Sequence, residues 1–211
     1  MSVVDPSLSS SIQPPLRPGA SIEEPPTVQT LINKLGLQKH PEGGYFVETV
    51  RDPLHVPNPF LSGTNGSNQN TIYAGPEDDS SRSASTTIYY LLTPGKPHGV
   101  FHKNKGRTMH TLHRGRGRYI IIHVDEKHDE ETTRIESFVV GHDIHKGERL
   151  QWMVEGGKHK ASFLSPDHED DMKSEGLLIS EVYTSCGRTP TTAYDRADFV
   201  TSDRCSWLRV L

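Results

Sequence analysis

Short runs in which apolar and polar residues alternate, broken at close intervals by Gly, Pro or charged turns, dominate the chain from position 45 to position 183. The segments 45–51, 86–92, 100–104, 108–113, 118–124, 134–140, 151–154, 160–165 and 177–183 are each short and rich in β-branched or aromatic residues, and each reads as a strand. Ahead of them Val28, Leu31, Ile32 and Leu35 fall at helical spacing, with Gly36 where a C-cap belongs. About nine short strands behind one short amphipathic helix predict an all-β sandwich or barrel. No strand–helix–strand alternation and no repeat of fixed period competes with that reading. GRGRY at 115–119 is followed by no helix, so it predicts a tight hairpin turn and not a phosphate loop.

Composition trims the picture to one domain with tails. The 211 residues are only 32% apolar, low for a chain packed along its whole length. Residues 1–26 are rich in Ser and Pro and without periodicity, which predicts a disordered tail; 27–183 form the domain, and 184–211 form a separate C-terminal segment. Within the domain, residues 52–84 are dominated by Pro, Gly, Asn, Ser and Asp and read as an insertion loop. Net charge is −4 with both signs mixed, which argues against nucleic acid or an anionic membrane as partner. Cys186 and Cys205 make neither a disulfide framework nor a zinc spacing, no apolar run is long enough to span a bilayer, and the N-terminus lacks a secretory pattern. A cytoplasmic protein is expected. The twelve histidines are the unusual count.

Four motifs in order carry a resemblance: HPEGGYFVET (40–49), STTIYYLL (85–92), FHKNKGRTMHTLHRGRGRY (101–119) and GERLQWMVEGGKHKASFL (147–164). From Leu31 to about Tyr183 the chain resembles the cupin superfamily and, within it, the DUF985 branch of function-unassigned proteins. The resemblance implies a β-jelly-roll barrel that commonly forms homodimers and holds a small organic molecule. It also implies up to four metal ligands, but this chain departs from that pattern. His102 stands at the first His position, Asn104 at the second, Thr108 at the Glu position and Lys160 at the distal His position. Beyond Glu181 the chain also departs from the branch, with DRADF (195–199) resembling its acidic segment.

Strand side chains alternate between faces, so Gly115 as register anchor sends Thr108 and His110 inward. The expected lumen then holds His102, Asn104, His110, Glu48, Lys160 and Glu181, with Arg107 and Tyr90 near the mouth or wall. Glu48 is expected to share its face with Phe46 and Val50. His102, His110, Glu48 and Glu181 are the catalytic candidates; Asn104, Lys160, Arg107, Tyr90 and Thr108 are the ligand-binding ones. A His held by a carboxylate can move a proton near neutral pH, and cupin-type sugar epimerases imply an isomerase, epimerase or cyclase that needs no metal. A non-catalytic binding protein is the second reading. A metal-dependent oxygenase or decarboxylase is the third: His102 and His110 with Glu48 or Glu181 could build a two-His, one-carboxylate site, which the Lys160 ammonium would oppose unless a one-residue slip brought His159 inward. No cofactor is therefore expected, with a divalent metal as the alternative. His40, His55, His98, His113, His123, His128, His142, His145 and His168 read as surface histidines.

Overall fold

The computed structural model describes residues 23–60, 80–126, 133–168 and 173–185, together with Leu16. The expected tail, most of the 52–84 insertion, Cys186, Cys205, His128 and the 195–199 segment lie outside the described residues. One helix, α1 (Pro26–Leu35), opens the fold. Pro26 sits at its first turn, where a missing N–H costs nothing, and Gly36 closes it at φ 67°. Val28 and Ile32 point from α1 onto Leu91 and Leu178 of the sheet beneath, a burial worth roughly 1.5–3 kcal/mol per side chain.

Twelve strands follow among the described residues: β1 (Gln38–Lys39), β2 (Tyr45–Arg51), β3 (His55–Pro57), β4 (Ser81–Ser83), β5 (Ser85–Leu92), β6 (His102–Lys103), β7 (Thr108–Arg114), β8 (Gly117–Ile122), β9 (Ile135–Val140), β10 (Gln151–Val154), β11 (His159–Leu164) and β12 (Leu177–Thr184). They pair antiparallel into a six-stranded sheet, β1-β2-β5-β12-β7-β10, a four-stranded sheet, β6-β11-β8-β9, and a two-stranded one, β3-β4. Between the two sheets lie Leu92, Leu112, Tyr119, Phe138, Val140, Trp152, Leu164, Leu177 and Ile179, all buried. The expected all-β jelly roll with one leading helix is the observed fold.

Three local expectations change. The ends of the 52–84 insertion are not structureless: β3 and β4 zip together as a ribbon, His55 opposite Ser83 and Pro57 opposite Ser81. The strand expected over 100–104 shrinks to His102–Lys103. On β2 the pairing to β5 shifts between Glu48 and Val50, leaving Thr49 as the extra residue. Glu48 lies opposite Ile88 and Arg51 opposite Thr86, so the bulge puts Arg51, not Val50, on the Glu48 face; Val50 is left 58% exposed.

The register on β7 follows the alternation. Thr108, His110 and Leu112 are buried, and His113 is exposed. Gly115 turns the β7–β8 hairpin at φ 81°, and a Cβ there would collide with the Gly176 carbonyl.

Candidate active site

A cavity of about 160 Å³ opens between the sheets. That is close to the size of an engineered apolar cavity that accepts benzene, enough for the reacting part of a small molecule. Its lining draws on His40 and Glu42 from the β1–β2 turn, Tyr90, His102, Asn104, Thr108 and Tyr119, Ser162 from β11, and Glu181 and Tyr183 from β12. Glu48, Arg51, Arg82 and Ser83 also line it.

His102 is held by its Nδ1, 3.0 Å from the Val100 carbonyl oxygen and 3.4 Å from Glu42 Oε2. A carbonyl only accepts, so Nδ1 carries the proton and Nε2 keeps the lone pair. Burial, with the Lys160 ammonium second, pushes this imidazole down to about 3, so it is neutral near pH 7. His40 is the reverse case. The Glu42 backbone N–H donates to His40 Nδ1 at 3.1 Å, so the His40 proton sits on Nε2. Burial lowers this group too, against the pull of Glu181. The two imidazoles are neutral and in opposite tautomers.

The HPEGGY motif explains how His40 and Glu42 come to be there. Gly43 and Gly44 take φ 96° and 67°, which folds the β1–β2 turn back over the cavity. Val100 N–H donates to the Glu42 carbonyl at 2.8 Å, and Tyr90 Oη donates to the Gly43 carbonyl at 3.1 Å. Burial, with Glu181 second, raises Tyr90 far above the usual phenol range, so it stays a hydroxyl donor.

Beneath the lining lies an ionic layer. Lys160, 1% exposed, donates to Glu181 Oε2 at 3.1 Å and to His110 Nε2 at 3.0 Å. An ammonium only donates, so His110 accepts at Nε2, which Tyr119 Oη also approaches at 3.0 Å. Nδ1 of His110 is buried beside the Trp152 backbone without closing a hydrogen bond, and the ring stacks on Trp152 at 5.1 Å and 7°. Burial first, then Lys160, lowers His110. For Glu181, burial alone would raise the carboxyl; Lys160 and then His110 outweigh it and hold the group well below the usual carboxylate range.

Of the residues that the sequence placed in or beside the lumen, His102, Asn104, Thr108, Glu181 and Tyr90 line one cavity. His110 and Lys160 do not line it and sit behind Glu181 and Tyr119 as support. Glu48 reaches the mouth but is taken by Arg51 at 2.8 Å. Arg107 turns outward, paired with Glu155 at 2.8 Å on the surface, because it precedes inward-facing Thr108 by one residue. His40 and Glu42 are added to the site, and His123, also read as a surface histidine, is buried at 4% exposure.

A divalent metal does not fit these residues. Asn104 Nδ2 donates to Thr108 Oγ1 at 2.8 Å, so two positions where cupin metals find ligands satisfy each other. The distal position presents the Lys160 ammonium, and the pairing of Lys160 with His102 on β6 keeps His159 off the cavity lining. Among the described residues no set of three or more His, Cys, Asp or Glu side chains converges for an ion.

Two antiparallel sheets closing over a polar cavity, with aliphatic side chains filling the space beside it, make this a cupin-type barrel. The chain belongs to the cupin superfamily (DUF985), whose family model matches residues 29–187. It is 46% identical over 162 residues to the uncharacterized protein YML079W of Saccharomyces cerevisiae, spanning 76% of this chain and 71% of that one. Among solved structures it is similar to a hypothetical protein from Leishmania major, with a TM-score of 0.56 and 27% identity over 74% of this chain and 80% of that one. Protein SO0799 from Shewanella oneidensis shares the fold, with a TM-score of 0.51 and 21% identity over 80% and 81% of the two chains. No helix among the described residues is long and apolar enough to cross a membrane.

Proposed function

We propose that the barrel binds a small organic molecule and catalyses a proton-transfer isomerisation on it without a metal. The opposite tautomers of His102 and His40 support this reading. His102, oriented through Nδ1 by Val100 and Glu42, offers Nε2 as a base; His40 offers Nε2–H as the matching donor. A proton taken from the substrate at His102 Nε2 leaves negative charge on the substrate, which the His40 Nε2–H can meet, and the imidazolium so formed returns the proton to a neighbouring atom of the same molecule. Lys160, His110 and Trp152 hold Glu181 and the cavity floor in place.

The test is exchange in deuterium oxide, followed by proton NMR, with a panel of small sugars, hydroxy acids and keto acids. One class should lose a C–H signal with the native protein, and His102→Gln should slow that loss by about a hundredfold or more. A second reading, a non-catalytic binding protein, is favoured by the depressed His102, since an imidazole near 3 is a weak base at neutral pH. A compound that binds in the cavity with no exchange, its affinity lowered in His102→Gln, would establish that reading instead.

A further inference from the structure

Among the described residues, the cavity mouth holds a guanidinium that no carboxylate pairs with. Arg51 is matched by Glu48 and Lys160 by Glu181. Arg82, on β4, lines the same cavity, and among the described residues no carboxylate pairs with it. Its guanidinium carbon instead lies 5.9 Å from the ring centres of both Phe60 and Tyr183. Ring contacts of this kind steady a guanidinium and leave its N–H donors for an oxyanion.

A second, independent feature lies next to it. Ser83 lines the cavity at 5% exposure, and its Oγ is buried with no hydrogen-bond partner among the described residues. Folded proteins rarely leave a buried hydroxyl unmatched, and a bound molecule is one thing that matches it. Ser185 Oγ donates to the Ser83 carbonyl at 2.6 Å, which holds this stretch of β4 against the end of β12. Of the three acids that line the cavity, Glu48 and Glu181 already carry their own cations, and Glu42 faces the His102 Nδ1–H at 3.4 Å.

We propose that Arg82 and Ser83 form an oxyanion subsite at the mouth, so that the ligand is a small molecule carrying a carboxylate or phosphate group. This deepens the proton-transfer reading and rests on it only for what happens at His102: the anion anchors at the mouth and the remainder of the molecule lies in the cavity. Both ligand sources present the same chemistry to a guanidinium and a hydroxyl.

The experiment is a nitrogen-15 NMR titration with inorganic phosphate and, separately, with acetate, reading the Arg82 side-chain N–H and the Ser83 amide. At least one anion should shift both signals saturably, and the tighter one identifies the group. Arg82→Gln should weaken that binding by about tenfold or more. Arg82→Lys should recover part of it, because the charge remains and the planar fork does not. Ser83→Ala should weaken binding while the ligand-free protein melts no lower, since an unmatched hydroxyl has been removed; this variant decides the matter if Arg82→Gln fails to fold. Binding of equal strength in Arg82→Gln or, should that variant not fold, in Ser83→Ala, or no saturable response to either anion, overturns the subsite. Anion binding without C–H exchange on any panel compound would sink the proton-transfer reading and leave the subsite standing.

Discussion

At one end of the barrel Leu92, Leu112, Leu164 and Leu177 close the space between the sheets with almost no exposure. A step or two of the pleat further along the same strands, the inward positions pass to Tyr90, His110, Lys160 and Glu181. Both ends are antiparallel sheet, and β5, β12 and β7 run through both, with one register shift between β12 and β7 at Leu178 and Ile179. What differs is how burial is tolerated. The aliphatic end is stabilised by transfer from water and by close packing, which act residue by residue. The ionic end is stable only as a set, because each charge there is tolerable only beside its partner.

Four measurements sharpen or break that contrast. Glu181→Gln leaves the Lys160 ammonium buried without its counter-charge, so urea denaturation should show a loss of about 3–5 kcal/mol. Adding Lys160→Met should return more than half of it; strict additivity of the two changes would show that the layer does not act as a set. Leu177→Ala at the aliphatic end should cost about 3 kcal/mol through lost transfer energy and a cavity, and Lys160→Met should leave that cost unchanged.

The third measurement is pH dependence. His102 is about 3 in the fold against 6.5 unfolded, so the unfolded chain binds the extra proton between those values. Its contribution to stability is complete above about pH 6.5 and is lost as pH falls towards 3. With the imidazole 21% exposed, the discounted loss by about pH 4 is roughly 2 kcal/mol, and His102→Gln should flatten that part of the curve. His40, His110 and Glu181 are all displaced downward and add slope of the same sign. The smallest effect belongs to the exposed Arg107–Glu155 pair, with half of each side chain in solvent: Arg107→Ala should change the unfolding free energy from urea denaturation by no more than about 0.5 kcal/mol.

The strand pattern carried much of the barrel, and the reasons it stopped are local. β7 was legible because period-2 alternation and the Gly115 hairpin agree on which residues face in. β2 was not, because one extra residue at Thr49 exchanges Val50 for Arg51 on the inner face, and nothing in YFVETVR marks a bulge. His40 and Glu42 were missed because a turn has no periodicity; the two glycines of HPEGGY were the available signal, since positive φ at both forces the chain back over the sheet. Arg82 and Ser83 were hidden inside a stretch that composition marked as loop, where β3 and β4 nevertheless pair.

The sequence by itself determined the fold class, the cupin lineage, and an interior at positions 102, 104, 108, 160 and 181 in which His102 alone keeps one of the four usual metal-ligand positions, because alternation and motif order are local properties of the chain. Only the tertiary structure decided which of these side chains meet the cavity and which stand behind it, which imidazole nitrogen carries a proton, and which charges cancel. Those are distances between strands far apart in sequence, and a pairing of a few ångströms between β6, β7, β11 and β12 is set by packing that no single segment encodes.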